Sequence, residues 1–221
     1  MDLFRQLLAE FLGAFAIVFA GTGAVIVNIQ TGGAISHAGI ALTFGLVVLS
    51  MIYALGEVSG ANFNPAVTLA FAVAKRFPFK KLLPYVGSQF AGALAASFLL
   101  RFLFPNSPTM GQTLPSGGPL QSFVFEVILT FFLMLVILRV STGAKEKGIT
   151  AAIAIGAVVG LEAMFAGPVC GASMNPARSL APALASGHLE HLWVYMIAPC
   201  LGAILAVPTA HFLSASTNAP Q

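Results

Sequence analysis

Apolar residues fall along the chain in six long blocks. They cover about 6–27, 38–57, 82–104, 120–141, 148–166 and 191–213. Each block is close to the roughly 20 residues that a membrane-spanning helix requires. Two shorter apolar segments, near 64–74 and 175–186, each begin at an Asn-Pro-Ala triplet. At about 11 residues they are too short to cross a bilayer, and that length suits a re-entrant half-helix. The pattern predicts an all-α membrane protein with six transmembrane helices plus two re-entrant half-helices.

Composition agrees. Apolar residues make up 58% of the chain and charged residues 8%, with a mean hydropathy of +0.93. A soluble domain carries about a quarter of its residues charged. So few charges cannot cover a water-facing surface, and the exterior is assigned to the lipid bilayer. The first block is read as a retained helix and not a signal peptide. Only Arg5 flanks it, Glu10 interrupts it, and no polar cleavage region follows. Cys170 and Cys200 sit in different apolar surroundings, so a disulfide framework is not indicated.

The basic residues predict the orientation. Arg5 precedes the first span, and Lys75, Arg76, Lys80 and Lys81 lie between the second and third. Arg139, Lys145 and Lys147 flank the loop between the fourth and fifth. Arg101, at the end of the third span, is the exception. Basic loops favour the cytoplasm, which places both termini there. The net charge of +3 follows the membrane and forms no nucleic-acid patch. Short loops and tails point to a plasma membrane of the bacterial inner-membrane kind.

The two halves share one pattern. Glu10 is followed by Ser59-Gly60-Ala61 and then Asn64-Pro65-Ala66. Glu126 is followed by Gly171-Ala172-Ser173 and then Asn175-Pro176-Ala177. Each half holds three spans and a short helix. An odd number of spans turns the second copy upside down, so residues 1–221 are expected to form one membrane domain. Its inverted three-helix repeats cover approximately 1–105 and 120–221.

Asn and Pro in succession mark a helix start. Asn is a good N-cap, accepting a first-turn N–H through its side-chain oxygen. Pro suits the first helical position, where its missing N–H costs nothing. The amide NH₂ is then expected to be free to donate into a lumen. Two half-helices meeting by their N-termini also bring together two positive ends, each worth roughly half a charge. Such a junction repels cations and tolerates a neutral solute that accepts hydrogen bonds. Glu10 and Glu126 each cost about 2.5–3.5 kcal/mol at a helix centre. They are read as acceptors for the irregular backbone leading into the half-helices. A proton relay is the competing reading, disfavoured because the pair is symmetric and no intramembrane His or Lys accompanies it.

These residues resemble the major intrinsic protein family, the aquaporins and glyceroporins. Ser59-Gly60-Ala61-Asn62-Phe63-Asn64-Pro65-Ala66-Val67-Thr68 is similar to the family's first pore motif. Gly171-Ala172-Ser173-Met174-Asn175-Pro176-Ala177-Arg178-Ser179 is similar to its second. The resemblance implies a homotetramer with one pore in each protomer, and cation exclusion by half-helix dipoles and an arginine is an established principle there. It also implies a second constriction, the aromatic/arginine filter, at Phe44, Ala163, Ala172 and Arg178. Arg178 repels cations and donates to passing oxygens.

Strictly water-selective members usually carry His where Ala163 stands. A glycerol facilitator has a second filter aromatic and an Asp where this chain has Ser179. The pattern is closest to nodulin-like intrinsic proteins and bacterial relatives, with Phe165-Ala166-Gly167-Pro168-Val169 as a further likeness. That implies a passive channel for water and small uncharged solutes that excludes ions and protons. The solutes would be polyols and neutral metalloid acids such as boric or arsenous acid. A strictly water-selective channel is the alternative.

Other residues carry lesser expectations. Glu162 is assigned to anchoring outer-loop backbone rather than lining the pore, since it stands about 100° around the helix from Ala163. Glu57 is expected to tie the approach to the first half-helix. Cys170 near the outer mouth is open between a reactive and an inert thiol. His37, His188, His191 and His211 do not cluster, so no metal site is expected, and nothing calls for a cofactor. Gly21, Gly23, Gly92 and Gly202 are read as close helix contacts. A coupled transporter would need an ion-coupling pair that does not stand out. An enzyme would need a nucleophile–base pair or a metal-ligand set, and neither appears.

Overall fold

The computed structural model describes residues 2–141 and 145–215, with the side chains of 145–149 and 215 outside that description. Lys145 and Lys147, counted above in the basic flank, are among those outside it. All the described secondary structure is helical. Six helices are long and apolar enough to cross a membrane. They are α1 (Leu3–Gln30), α2 (Ser36–Ser59), α4 (Leu82–Leu103), α5 (Pro119–Val140), α6 (Lys145–Cys170) and α8 (Leu192–Ala215). The two short ones are α3 (Pro65–Val73) and α7 (Pro176–Ser186). The long helices outrun the apolar blocks by a few residues at several ends, because helical hydrogen bonding continues into polar flanks.

Packing follows small residues. A Cβ on Gly92 of α4 would collide with the carbonyl oxygen of Phe11 on α1. A Cβ on Gly202 of α8 would collide with that of Val127 on α5. Phe11 and Val127 each follow an intramembrane glutamate, so the two contacts occupy matching places. With little hydrophobic drive between helices in lipid, such close backbone approach supplies much of the association. Gly21 makes room for the ring of Phe44 on α2. Gly23 departs from expectation: its Cβ would meet only Leu100 Cδ2 at 3.5 Å, an ordinary contact.

The contacts between elements run in matching pairs. α1 packs on α2 and α4, as α5 packs on α6 and α8. The half-helices cross over: α7 lies against α4, and α3 lies against α8. α2 and α6 meet face to face, with Gly45 against Gly156 and Gly160. The two halves are thereby interleaved around a shared middle, where α3 and α7 touch.

Candidate functional site: a pore through two half-helix junctions

Each Asn-Pro-Ala triplet starts its helix as the residue types demand. Asn64 is extended at φ −150 and ψ 122, and Asn175 at φ −149 and ψ 109. Asn64 Oδ1 accepts from Ala66 N at 2.9 Å. Asn175 Oδ1 accepts from Ala177 N at 3.0 Å and Arg178 N at 3.4 Å. Pro65 and Pro176 take the first helical position.

The amide groups differ from expectation. Asn64 Nδ2 donates to Met174 O at 2.7 Å, and Asn175 Nδ2 donates to Phe63 O at 3.1 Å. One N–H of each amide is therefore committed across the junction, holding the half-helices together. A carboxamide has two N–H groups, so one per asparagine remains. Both asparagines line the cavity described below.

The backbone leading into each half-helix is left-handed at several points. Gly60, Ala61 and Phe63 have φ of 88, 51 and 54; Gly171, Ala172 and Met174 have 83, 40 and 54. Each non-glycine residue in this region costs on the order of 1–3 kcal/mol. The glutamates offset that cost by accepting the N–H groups these bends leave over. Glu10 Oε1 accepts from Asn62 N at 3.0 Å and Ser59 Oγ at 2.7 Å. Its Oε2 accepts from Phe63 N and from Gln89 Nε2, each at 2.7 Å. Glu126 accepts from Ser173 N at 2.7 Å and Met174 N at 2.8 Å. Both residues are 0% exposed.

One cavity of ≈ 710 Å³ links these parts. Tyr53, Glu57 and Ser141 stand at one end of it, and Phe44, Ala163, Ala172 and Arg178 line it further along. Asn64 and Asn175 also line it, while Pro65, Ala66, Pro176 and Ala177 stand behind the wall as first turns of α3 and α7. Apart from Asn62 and Ser173, the rest of the wall is apolar and read at helical spacing. α6 presents Ala151, Ile155, Val159 and Ala163, and α2 presents Phe44, Val48 and Ile52, each set four residues apart along one helix face.

Arg178 is fixed from two sides. Its Nη1 donates to Gly111 O at 2.9 Å, and its Cζ lies 5.0 Å from the Phe44 ring centroid. The loop carrying Gly111 is itself pinned, since Thr113 Oγ1 and Ser179 Oγ are 2.7 Å apart and Ser173 Oγ is 2.5 Å from Ser179 Oγ.

Two other expectations are corrected. Glu57 is exposed at the cavity mouth and makes no side-chain hydrogen bond among the described residues. Ser59 and Tyr85 take the role assigned to it: Ser59 Oγ donates to Glu10, and Tyr85 Oη donates to Ser59 O at 3.0 Å. Glu162 is buried at 3% exposure and lies off the cavity, with Oε2 unpartnered among the described residues. The outer-loop backbone it was expected to hold is taken by Glu126 and by Tyr195, whose Oη donates to Cys170 O at 2.8 Å. The two tyrosines escaped sequence reasoning. The signal was a fixed offset: the triplets stand 111 residues apart, and nearly the same shift carries Tyr85 to Tyr195.

A match to the major intrinsic protein profile covers residues 1–209. The chain belongs to the major intrinsic protein family. Members are channels, and this chain is an integral membrane channel rather than an enzyme. It is 46% identical over 201 residues to nodulin-26 of Glycine max, covering 90% of this chain and 74% of that protein. It is 47% identical over 203 residues to the putative aquaporin NIP4-1 of Arabidopsis thaliana, covering 91% and 72%. The aquaglyceroporin of Plasmodium falciparum superposes with a TM-score of 0.84 at 26% identity, covering 96% of this chain and 100% of that one. These sequence relatives are plant proteins, which counts against the bacterial inner membrane expected from short loops.

Proposed function

We propose that this chain is a passive channel for water and small uncharged solutes, among them polyols and neutral metalloid acids such as boric or arsenous acid. The observation that carries the reading is one cavity lined by both capping asparagines and by Phe44, Ala163, Ala172 and Arg178. Ala163 and Ala172 each contribute only a methyl group to that ring. A solute with hydroxyl groups could exchange water for the Arg178 guanidinium and the remaining Asn64 and Asn175 N–H groups. Cations and protons meet the guanidinium and two positive helix ends instead.

The same reading assigns residues 1–221 to one channel domain built of inverted repeats at approximately 1–105 and 120–221. The matching Glu10 and Glu126 contacts support it. Both termini are assigned to the cytoplasm by the basic loops. The channel is assigned to a plasma membrane as a homotetramer, in which exposed apolar residues such as Phe102, Leu120 and Phe212 would meet lipid or a neighbouring copy.

Stopped-flow light scattering on reconstituted vesicles, with water, glycerol, urea and boric acid, tests the solute range. Entry of glycerol and boric acid faster than through bare lipid is expected. Water flux with no solute entry would leave a strictly water-selective channel.

A further inference from the structure

α6 contains a proline just beyond the ring residue it carries. Pro168 has no N–H, so the carbonyl of Met164, four residues back, loses its helical partner. Met164 directly follows Ala163. A replacement donor comes from another helix: His37 Nε2 lies 2.7 Å from Met164 O. A carbonyl only accepts, so Nε2 carries the proton, in the neutral ring and in the imidazolium alike. The ring also lies against Gly167, where an added Cβ would come within 2.9 Å of His37 Cε1. Helix break, donor and missing side chain thus converge on one imidazole.

His37 stands in the first turn of α2, seven residues before Phe44. Seven residues are two turns, so both side chains leave the same face of α2. One side chain therefore ties the helix that carries Phe44 to the helix that carries Ala163, just beyond the ring these two help to form. Deeper in, the same helices are held by the contacts of Gly45 with Gly156 and Gly160. That packing sets their closest approach and extends outward to Gly160 beside Ala41 O, about one turn short of His37, which supplies the tie beyond it.

We propose that His37 is a positioning residue for the selectivity ring: by satisfying the Met164 carbonyl that Pro168 orphans, it holds Phe44 and Ala163 at a fixed spacing and so limits the size of solute admitted. The proposal rests on the assignment of Phe44 and Ala163 to the filter.

The test is the ratio of glycerol to water permeability in reconstituted vesicles. His37→Leu is expected to raise the ratio by roughly fivefold, the population change commanded by one net hydrogen bond. His37→Gln keeps an N–H at a similar reach and is expected to hold the wild-type ratio. Pro168→Ala returns an N–H to Met164 O within α6 and so releases the tie to His37; it is expected to raise the ratio by itself, and His37→Leu made in that background to change it little further. A ratio unmoved by His37→Leu alone, or moved equally with and without Pro168→Ala, overturns the proposal. Wild-type vesicles that pass water but no glycerol would remove the broad-filter reading only, and His37→Leu would still be expected to admit glycerol. Vesicles that pass neither would overturn both.

Discussion

The guanidinium of Arg178 lies over the ring of Phe44, with Cζ 5.0 Å from the centroid. The two residues come from opposite halves of the chain, one from the half-helix α7 and one from the long helix α2. A cation held against an aromatic face gains about 0.5–2 kcal/mol, more as water is removed. With Gly111 O accepting from Nη1, the guanidinium has a fixed plane beside the cavity. Arg178→Val is therefore expected to raise glycerol entry and weaken the exclusion of cations, with water flux retained. Phe44→Ala is expected to raise glycerol entry while cations stay excluded. Solute swelling and conductance, measured on the same vesicles, separate the two; equal cation leak in both variants would contradict the division of roles.

Ala163, from the neighbouring helix α6, lines the same cavity. Ala163→His places an imidazole where a methyl group now lines the cavity. Glycerol and boric acid permeabilities are expected to fall at least about tenfold, a change of roughly 1.4 kcal/mol in barrier, with water permeability changed much less. A parallel fall in water flux would mean that the substitution had closed the pore rather than narrowed it.

Glu126 takes two buried N–H groups, from Ser173 and Met174. Leaving a buried donor unsatisfied costs about 1–3 kcal/mol. Glu126→Ala is expected to lower the thermal midpoint in detergent clearly, and Glu126→Gln, which keeps one acceptor oxygen, by less. A proton relay would behave differently, with Glu126→Gln leaving stability untouched while abolishing a proton-dependent flux.

Gly92 and Gly23 form a contrasting pair. Gly92→Leu drives a side chain into the Phe11 carbonyl, whereas Gly23→Ala meets only Leu100 at 3.5 Å. Gly92→Leu is expected to block folding or halve the yield of intact protein, as overpacking costs about 1–3 kcal/mol or more. Gly23→Ala is expected to match the wild type in size-exclusion profile and melting.

Cys170 resolves an ambiguity that the sequence left open. Its residue is 0% exposed, its thiol donates to Ala166 O at 3.5 Å and accepts from Ala172 N at 3.4 Å. Thiol reactivity requires an accessible thiolate. Water-soluble maleimide is expected to label Cys170 only after denaturation, read by mass spectrometry of the peptide. Rapid labelling of the native channel would show an outer mouth more open than the one described.

The one-dimensional pattern was enough for the elements and for where the half-helices begin. Span length and hydropathy follow from bilayer thickness, and Asn64-Pro65 and Asn175-Pro176 carry their capping chemistry locally. The family likeness placed Phe44, Ala163, Ala172 and Arg178 by register with those triplets, and all four line one cavity. Tertiary structure decided what depends on residues far apart in sequence. Asn64 and Asn175 each commit an N–H to the opposite half, a contact no local rule contains. Glu57 and Glu162 failed as backbone anchors because an acceptor must face the donor, and facing is set by helix rotation and crossing rather than by nearness along the chain. His37 looked like an isolated histidine near a span end, and became a partner for Met164 only once α2 and α6 lay side by side.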